Sequence, residues 1–498
     1  MTVALVNMPF APATRPSIQI GILAALLADA GIVAREHHAA VDFYDRLRRA
    51  GALSQYTAQS PSMVGEWYFS ERPLDLSNDV WAADRLRRHA RGVGFPFSRM
   101  LAVRDEVVPA FLDDTARAVA ATSPRVACFT LSYAQLNASF ALAARLKRLI
   151  PDLVTVFGGA GSQVHEDACR EYMGAFSAID VMVLGEAEPV LVDLLRGILE
   201  SGKPSRELPD LLLREAGQVV RTPSPTSPRP LDTSPTPRYE GWFELRGRMP
   251  METRRDLEPV LLMELGRGCT WGDEMTCSFC AFTFHGRYRA KSRERVLKEV
   301  RELTGRHGRK TIYLVDDIVT NSQISDLLPA MRQAVPGLLV HFMEMRTATT
   351  RRHVQTLAES GVCLVQPGTE CFDDGLLRRI QKGTTTFHNV QFLKWAREAG
   401  VRVSHNILLA IPRSTRDEVE RQLAVIRLLV HLDPPFSFPL QLVRFSPYHA
   451  DPEKHGLQPL HPDPFYGYIF PEGVDAAKVA YELVEEEGFD PHADLHEE

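Results

Sequence analysis

Apolar positions in the first part of the chain alternate between short unbroken runs and stretches with a helical period. "TVALVNM" (residues 2–8) has the continuous apolar character of a buried strand, and residues 16–31 after it repeat with helical spacing. There Ser17 stands where an N-cap belongs, Ile20, Leu23, Leu26 and Leu27 share one face, and Gly31 supplies a stop. The pair recurs as "RVACFTLSY" (125–133) running into "QLNASFALAARLKRLI", then "DLVTVFGGAG" (152–161), then "IDVMVLGEAE" (179–188) running into "PVLVDLLRGILESG". Short apolar strands separated by amphipathic helices predict a parallel sheet in a doubly wound, Rossmann-like α/β domain over residues 1–220. Between about residues 43 and 104 the alternation lapses, and that stretch, with Trp67 and Trp81, predicts a largely helical insertion.

Residues 221–238, "RTPSPTSPRPLDTSPTPR", are dominated by Pro, Ser and Thr. Such a run cannot form a core and predicts a linker, drawn over 221–254. Alternation resumes over 255–450 with six strand candidates: "PVLLMELGRG", "KTIYLVDD", "LLVHFMEMR", "VCLVQPGTE", "VRVSHNILLAIP" and "FPLQLVRFS". Most carry polar residues at or near the C-terminal end: a cysteine loop, Asp316 and Asp317, Glu344 and Arg346, Glu370, and Arg444, with Asn406 inside its strand. In parallel β/α barrels the active site lies on the face formed by those strand ends. Six units therefore predict a partial (β/α)6 TIM-type barrel, open on one side, with a convergent site. Residues 451–498 predict a small C-terminal extension with an acidic tail.

Length adds that 498 residues exceed one hydrophobic core. A net charge of -6 argues against a nucleic-acid partner, which needs a basic face. No apolar run approaches the roughly 20 residues that span a bilayer, and the N-terminus lacks the basic lead of a signal peptide. Seven cysteines, an odd and clustered set, do not read as a secreted disulfide framework. The expected location is cytoplasmic, with no membrane partner.

Three of those cysteines lie in "GRGCTWGDEMTCSFCAF": Cys269, Cys277 and Cys280. A structural zinc wants four ligands, and His285 is the nearest fourth. A redox pair Cys277/Cys280 belongs at the start of a helix in a thioredoxin-like unit, which this context is not. An iron–sulfur cluster on three thiolates leaves one iron open for a substrate or cofactor. Spacing alone leaves zinc and cluster level. Gly266 and Gly268 before Cys269 give a backbone room to approach a cofactor, and Phe279 sits between the last two cysteines.

A cysteine loop after the first barrel strand resembles the radical S-adenosylmethionine (SAM) superfamily, whose [4Fe–4S] cluster is bound by three cysteines there. The usual spacing is C-x3-C-x2-C; the longer first gap resembles the cobalamin-dependent radical SAM C-methyltransferases of RiPP maturation, the modification of ribosomally made peptides. "VNMPFAPATRPSIQIGILAALLADAG" is similar to that family's N-terminus, and "LSYAQLNASFALAARLK", "FGGAGSQ" and "VLGEAEP" to its cobalamin-binding domain. "YRAKS", "VQPGTEC", "KGTTTFHNVQFLKW" and "LVRFSPYH" are further similarities in the barrel. "CAF", "VDD" and "HNILLAIPRS" depart from the family pattern, the last two near the expected SAM and substrate surface.

The resemblance implies a [4Fe–4S] cluster on Cys269, Cys277 and Cys280, together with SAM and cobalamin. It implies SAM contacts at Phe279, Asp316 (for the amino group), Glu344, Arg346 and Glu370 (for ribose and carboxylate) and Asn406 (for ribose or adenine). Corrin contacts are implied at Ser132, Gln135, Gly158, Gly159, Ala160, Gly185 and Glu186. No D-x-H-x-x-G follows the first strand, where "NMPFAP" stands, so no protein histidine is expected on cobalt. The implied reaction transfers a methyl group from methylcobalamin to an unactivated sp3 carbon of a precursor peptide, with no catalytic side chain beyond the cofactors. One alternative keeps both cofactors and replaces methylation by a radical rearrangement or cyclisation of a peptide or small natural product. Others are a SAM radical enzyme with a non-binding α/β domain, and a zinc-stabilised scaffold or peptide-binding module. Expected partners are the peptide, a low-potential electron donor such as flavodoxin or ferredoxin, and a separate peptide-recognition protein. Tyr288, Tyr448 and His405 lie where substrate could bind, with a core or surface role the simpler reading of each. Cys363 reads as a buried strand residue and Cys371 as a wall residue.

Overall fold

Seven strands supply the sheet that the apolar runs of the first part predict. The computed structural model describes residues 2–57, 63–132, 134–159, 165–223, 229–281 and 286–485. Strands β1 (Thr2–Asn7), β2 (Ala34–His37), β3 (Pro124–Thr130), β4 (Val154–Gly158), β5 (Val181–Val183), β6 (Leu211–Glu215) and β7 (Gln218–Arg221) pair in the order β2-β1-β3-β4-β5-β6-β7. The first five are parallel, and β6 and β7 continue the sheet antiparallel. Helix Ile18–Asp29 begins where Ser17 accepts the Ile20 N–H at 3.3 Å and ends ahead of Gly31, at φ 72°. Its Ile20 and Leu27 pack with Val3, Leu5, Val126, Val156 and the helix residues Leu194, Leu195 and Ile198 in one core.

The insertion is helical, with helices Ala39–Arg49, Val64–Phe69 and Val80–Gly92. It carries its own aromatic core, Phe10 packing against Phe43, Tyr56, Tyr68 and Phe69. Glu66, fully buried, ties it to the sheet by accepting the N–H groups of Leu136 at 3.0 Å and Asn137 at 2.7 Å, the start of helix Leu136–Leu149. Burial pushes this carboxyl up to about 7.

The chain divides into two units: Met1–Arg229, Ser234–Pro259 and Asp463–Ala480 in the first, Pro230–Thr233, Val260–Pro462 and Tyr481–Glu498 in the second. Two expectations differ from this division. Beyond the proline-rich run the expected linker joins the first unit's core, because its aromatic residues bury. Trp242 packs with Val41 and Leu257, and Tyr239 lies so close to Gly21 that a Cβ there would be 2.6 Å from its ring. Likewise residues 463–480 belong to the first unit rather than to one extension over 451–498. The acidic end of the tail conceals their apolar content: Phe470 packs on Tyr172 at 5.5 Å, and Asn137 Nδ2 donates to Ile469 O at 2.6 Å.

In the second unit the strands are β8 (Leu261–Met263), β9 (Gly266–Arg267), β10 (Arg289–Ala290), β11 (Thr311–Leu314), β12 (Leu339–Met345), β13 (Leu364–Pro367), β14 (Arg402–Val403), β15 (Asn406–Leu409), β16 (Phe436–Pro439), β17 (Leu442–Val443), β18 (His461–Pro462) and β19 (Glu482–Val484). Parallel pairing runs β8-β11-β12-β13-β14, continues through a bridge between Glu370 and Ile407 to β15, and ends at β16. β14 and β15 are two halves of one predicted strand, so the succession is the open six-stranded barrel. The last strand sits earlier than "FPLQLVRFS" suggests. Pro439 ends the parallel ladder, and the apolar run past it pairs antiparallel in the sheet β17-β19-β18. No helix among the described residues is long and apolar enough to cross a membrane.

Trp242→Ala should lower unfolding stability by about 3–5 kcal/mol, the usual cost of emptying a buried indole site. Urea denaturation checks this, and a loss under about 1 kcal/mol, typical of a surface change, would return the segment to linker status.

Candidate active site

The end of β8 is where the barrel's polar residues begin to converge. Past Met263 the backbone leaves the ladder, and the buried Asp316 carboxylate accepts the N–H of Leu265 at 2.9 and 3.0 Å and that of Gly266 at 2.6 Å. Both oxygens are thus engaged by backbone, and the residue expected to meet the SAM amino group braces the cysteine loop. Burial pushes its carboxyl up to about 8, against the pull of the two N–H groups. Gly266 and Gly268 are required for a local reason. β9 and β10 pair here, and a Cβ on Gly266 would lie 2.7 Å from Arg289 O, one on Gly268 2.9 Å from Tyr288 Cα. The room they create is filled by the chain's own backbone. Lys291, next along, is buried and bonds Glu299 at 2.9 and 3.1 Å.

Cys269 is extended (φ -128°, ψ 121°) ahead of the short helix Thr270–Glu274, and the Cys280 N–H donates to Cys277 O at 3.0 Å, closing a tight turn. All three thiols are half-buried and unbridged. The loop is fastened to residues 379–383. Trp271 Nε1 donates to Gln381 O at 3.0 Å, the Ser278 N–H to Ile380 O at 3.0 Å, and Ser278 Oγ to Arg379 O at 3.2 Å. Gly383, at φ 67°, has no space for a side chain, because a Cβ would overlap the Trp271 ring.

Two cations and a carboxylate complete this wall. The Arg346 guanidinium lies 4.0 Å from the Trp271 ring centroid and donates to the carbonyls of Lys382 and Gly383, both at 2.9 Å. Lys382 Nζ pairs with Glu370 at 2.7 Å and stands 5.6 Å from the Phe279 ring centroid. Burial works against the Lys382 charge, yet Glu370 and the thiols of Cys277 and Cys280 outweigh it and hold the ammonium protonated. Burial pushes the Cys277 thiol up, while Lys382 and Arg346 oppose that shift. Cations beside cysteines favour thiolates, the form that ligates iron. A cluster spreads its thiolates over several irons, and the three cysteines with their cations fit that group. His285 lies outside the described residues.

Lys382 and Trp271 were not singled out by sequence reasoning. The available signal was "KGTTT", where a glycine follows a lysine beside no strand end. Other candidates fall into place around them. The Glu344 carboxyl, half-buried, has no hydrogen-bond partner among the described residues and is pushed up to about 7 by burial and then by Asp317. No Glu344–Arg346 bridge forms. The Asn406 side chain is likewise half-buried without a hydrogen bond among the described residues. Phe279, Leu408 and Leu440 pack together against Cys371, Leu376, Leu377, Ile380 and Ile411, which makes Cys371 part of an apolar wall. His405 is buried and bonded to Thr369 Oγ1 at 3.2 Å and Asp433 O at 3.0 Å, and Tyr448 is buried: both are core residues. Cys363 is half-buried. Burial, then Asp316, pushes the Tyr288 phenol up.

The first unit presents a second edge. With strand order β2-β1-β3, the chain reverses its winding between β1 and β3, and the crevice outside the C-terminal strand ends there is where open α/β sheets take ligands. In this protein the loops zip that point together. Gln135 Nε2 donates to Met8 O at 2.6 Å, the Phe10 N–H to Ala134 O at 3.1 Å, and Ser132 Oγ to Gln135 Oε1. Gly158 packs against Val183 and Gly159 against the Leu131 carbonyl, where a Cβ would overlap. Gly185, at φ 79°, is exposed with open space beside it, and Glu186 follows, half-buried. Ala160 lies outside the described residues.

Residues 263–424 match the sequence model of the Radical SAM superfamily. Over 330 residues the chain is 26% identical to an uncharacterized methyltransferase of Pyrococcus horikoshii, covering 64% of this chain and 67% of the relative. Over 283 residues it is 23% identical to the anaerobic magnesium-protoporphyrin IX monomethyl ester cyclase of Cereibacter sphaeroides, covering 55% of this chain and 44% of that enzyme. Among solved structures, the radical SAM methyltransferase TsrM of Kitasatospora setae, with cobalamin and a [4Fe–4S] cluster bound, superposes with a TM-score of 0.64 at 18% identity, covering 100% of this chain and 90% of TsrM. The cobalamin-dependent radical SAM enzyme OxsB gives 0.63 at 13% identity, covering 97% of this chain and 64% of OxsB. These two likenesses establish the fold: an α/β unit followed by a radical SAM barrel.

With its carboxyl raised from 3.8 to about 8, Asp316 gives the native state one more proton than the unfolded chain between those values. Unfolding free energy should therefore fall as pH rises through that window. Asp316→Asn should flatten the slope while keeping one acceptor for the two N–H groups. Urea unfolding at about pH 5 and about pH 8 compares the proteins; identical pH slopes would mean that Asp316 is charged throughout.

Proposed function

We propose that this radical SAM enzyme is a cobalamin-dependent C-methyltransferase that acts on an unactivated sp3 carbon of a ribosomally made precursor peptide. The observation that carries the reading is the set of three half-buried thiols beside Lys382 and Arg346 at the end of the first barrel strand. When bound, the cluster, SAM and cobalamin supply the electron, the hydrogen-abstracting group and the methyl group, and the protein supplies orientation, dryness and charge.

In that division of labour Cys269, Cys277 and Cys280 hold the cluster, and Lys382 and Arg346 balance their negative charge. Glu370 is committed to Lys382 and positions it. Phe279 and Leu408 offer an apolar wall suited to an adenine ring. Glu344 and Asn406, half-buried and without hydrogen bonds among the described residues, are the polar groups left to meet a ribose. In the first unit Gly185 and Glu186 border the open part of the sheet edge, where a corrin would lie against backbone. The segment after β1 carries Met8, Phe10 and Ala11, all buried, and no histidine for cobalt. A low-potential flavodoxin or ferredoxin as electron donor and a separate peptide-recognition protein belong to the same reading.

Similarity to an anaerobic cyclase favours a second reading, in which the same cofactors drive a cyclisation or rearrangement without methyl transfer. Product mass separates the two: methylation adds one CH2 per event, and an unchanged mass sinks it.

Anaerobically reconstituted protein should hold about four irons per chain at this site. Cys277→Ala should lose the cluster absorbance and reductive cleavage of SAM together. Cleavage surviving in the variant would refute the ligand assignment.

A further inference from the structure

The last barrel strand carries an exposed aromatic surface in the second unit. All four residues of β16 are exposed, Phe436 by 58% and Phe438 by 47%, and the two rings lie 6.5 Å apart. Among the described residues β16 pairs on one side only, with β15. From Pro434 to Val443 no side chain is ionisable. Isolated apolar side chains are ordinary on a protein surface, but an aromatic pair on an uncharged edge strand marks a contact.

Register shows where that contact leads. Parallel partners share a face of the sheet, so Phe436 stands beside Asn406 and Phe438 beside Leu408. Leu408 packs in one apolar group with Phe279 and Leu440. A single wall therefore runs from Phe279, between Cys277 and Cys280 in the sequence, through Leu408 to Phe438 and Phe436. The backbone edge beyond it is sparse. Phe436 and Leu440 donate inward, to His405 O at 2.8 Å and Leu409 O at 2.9 Å, so the alternating residues Ser437 and Pro439 turn outward. Pro439 has no N–H. One donor, the Ser437 N–H, remains on the edge: enough to align one residue of an extended chain, too few to add a strand.

We propose that this wall selects the substrate, Phe436 and Phe438 receiving an apolar side chain, aromatic or branched aliphatic, of an extended peptide whose carbonyl accepts the Ser437 N–H. The inference rests on the peptide-modifying reading above. The run offers no charge to offset a carboxylate or ammonium on the ligand, and its continuity with Leu408 and Phe279 brings the occupant to the cysteine site.

Equilibrium dialysis of the reconstituted full-length enzyme against the tripeptides Ac-Gly-X-Gly-NH2, with X as Phe, Leu, Ser or Glu, tests the selection. The Phe and Leu peptides should be retained about tenfold over the others, the scale of one partly buried apolar side chain. The double variant F436S/F438S should lose that preference at unchanged iron content, and F436L/F438L, which keeps the wall apolar, should retain it. Equal retention of all four peptides by the wild type overturns the proposal, as does an unchanged preference in F436S/F438S. A wild-type dimer in light scattering that F436S/F438S abolishes also overturns it, since the face would then serve a second copy. SAM cleavage by the wild type under dithionite, without peptide, tests the underlying reading separately: its absence sinks the radical chemistry and leaves the peptide preference standing.

Discussion

Two backbone N–H groups at the end of the first barrel strand share one acceptor, and the candidate site depends on it. Leu265 and Gly266 leave the parallel ladder at a buried position, where an unpaired N–H costs on the order of 1–3 kcal/mol. Asp316, at the end of the next strand, takes both. The turn that results lets β9 double back against β10, with glycines where Tyr288 and Arg289 press closest. Cys269 then emerges extended and half-buried, followed at once by the helix that carries Trp271. A carboxyl held by burial and two backbone donors is thus a strut, and its ionisation links the geometry of the loop to pH.

The far side of the loop is fixed by a different device, an exchange of contacts with residues 379–383. Trp271 and Ser278 donate to three successive carbonyls there, and Arg346 binds the next two while lying on the Trp271 ring. These bonds also deliver Lys382, because the backbone that accepts them carries that side chain in to Glu370. The segment therefore brings positive charge to the thiols with the same contacts that hold the thiols in place. A buried ion pair is poor evidence of stability, since desolvation consumes most of its attraction. Placed beside three cysteines, Lys382–Glu370 makes better sense as a fixed electrostatic environment for an anionic ligand set.

Much of the architecture was legible because periodicity reports burial directly. Ser17 caps its helix, the short apolar runs are the strands, and the six candidates of the barrel trace its open sheet, with only the last displaced. Chemistry at the strand ends was legible as a location and less so as roles. A polar residue at the end of a buried strand reads as a ligand contact until its partners are visible, and Asp316 turned out to face backbone. Gly266 and Gly268 signalled close approach correctly, and the groups that press on them within the chain are Tyr288 and Arg289. For Lys382 the only signal was the motif "KGTTT" around it, because its importance comes from a fold contact between segments a hundred residues apart. Trp242 and Phe470 were hidden by neighbours: proline in one case, acidic residues in the other, each masking a few apolar side chains that suffice to dock a segment. The expectation of particular cofactors came from resemblance of long ordered motifs, which spacing alone did not supply.

The first unit shows why glycines at a sheet edge carry so little information by themselves. Gly158 and Gly159 lie where a ligand-binding reading wants them, yet Gly159 is explained by the Leu131 carbonyl against it. Ser132 and Gln135, polar and well placed in sequence, are spent on each other and on Met8. Closing the β1/β3 crevice in this way leaves fewer side chains free at the switch point, and moves the open edge toward Gly185, where positive φ and empty space coincide. A flat ligand received there would be recognised by backbone and shape, which tolerates wide variation in side chains. That is the kind of site in which a fold can persist at 18% identity while the sequence around it drifts.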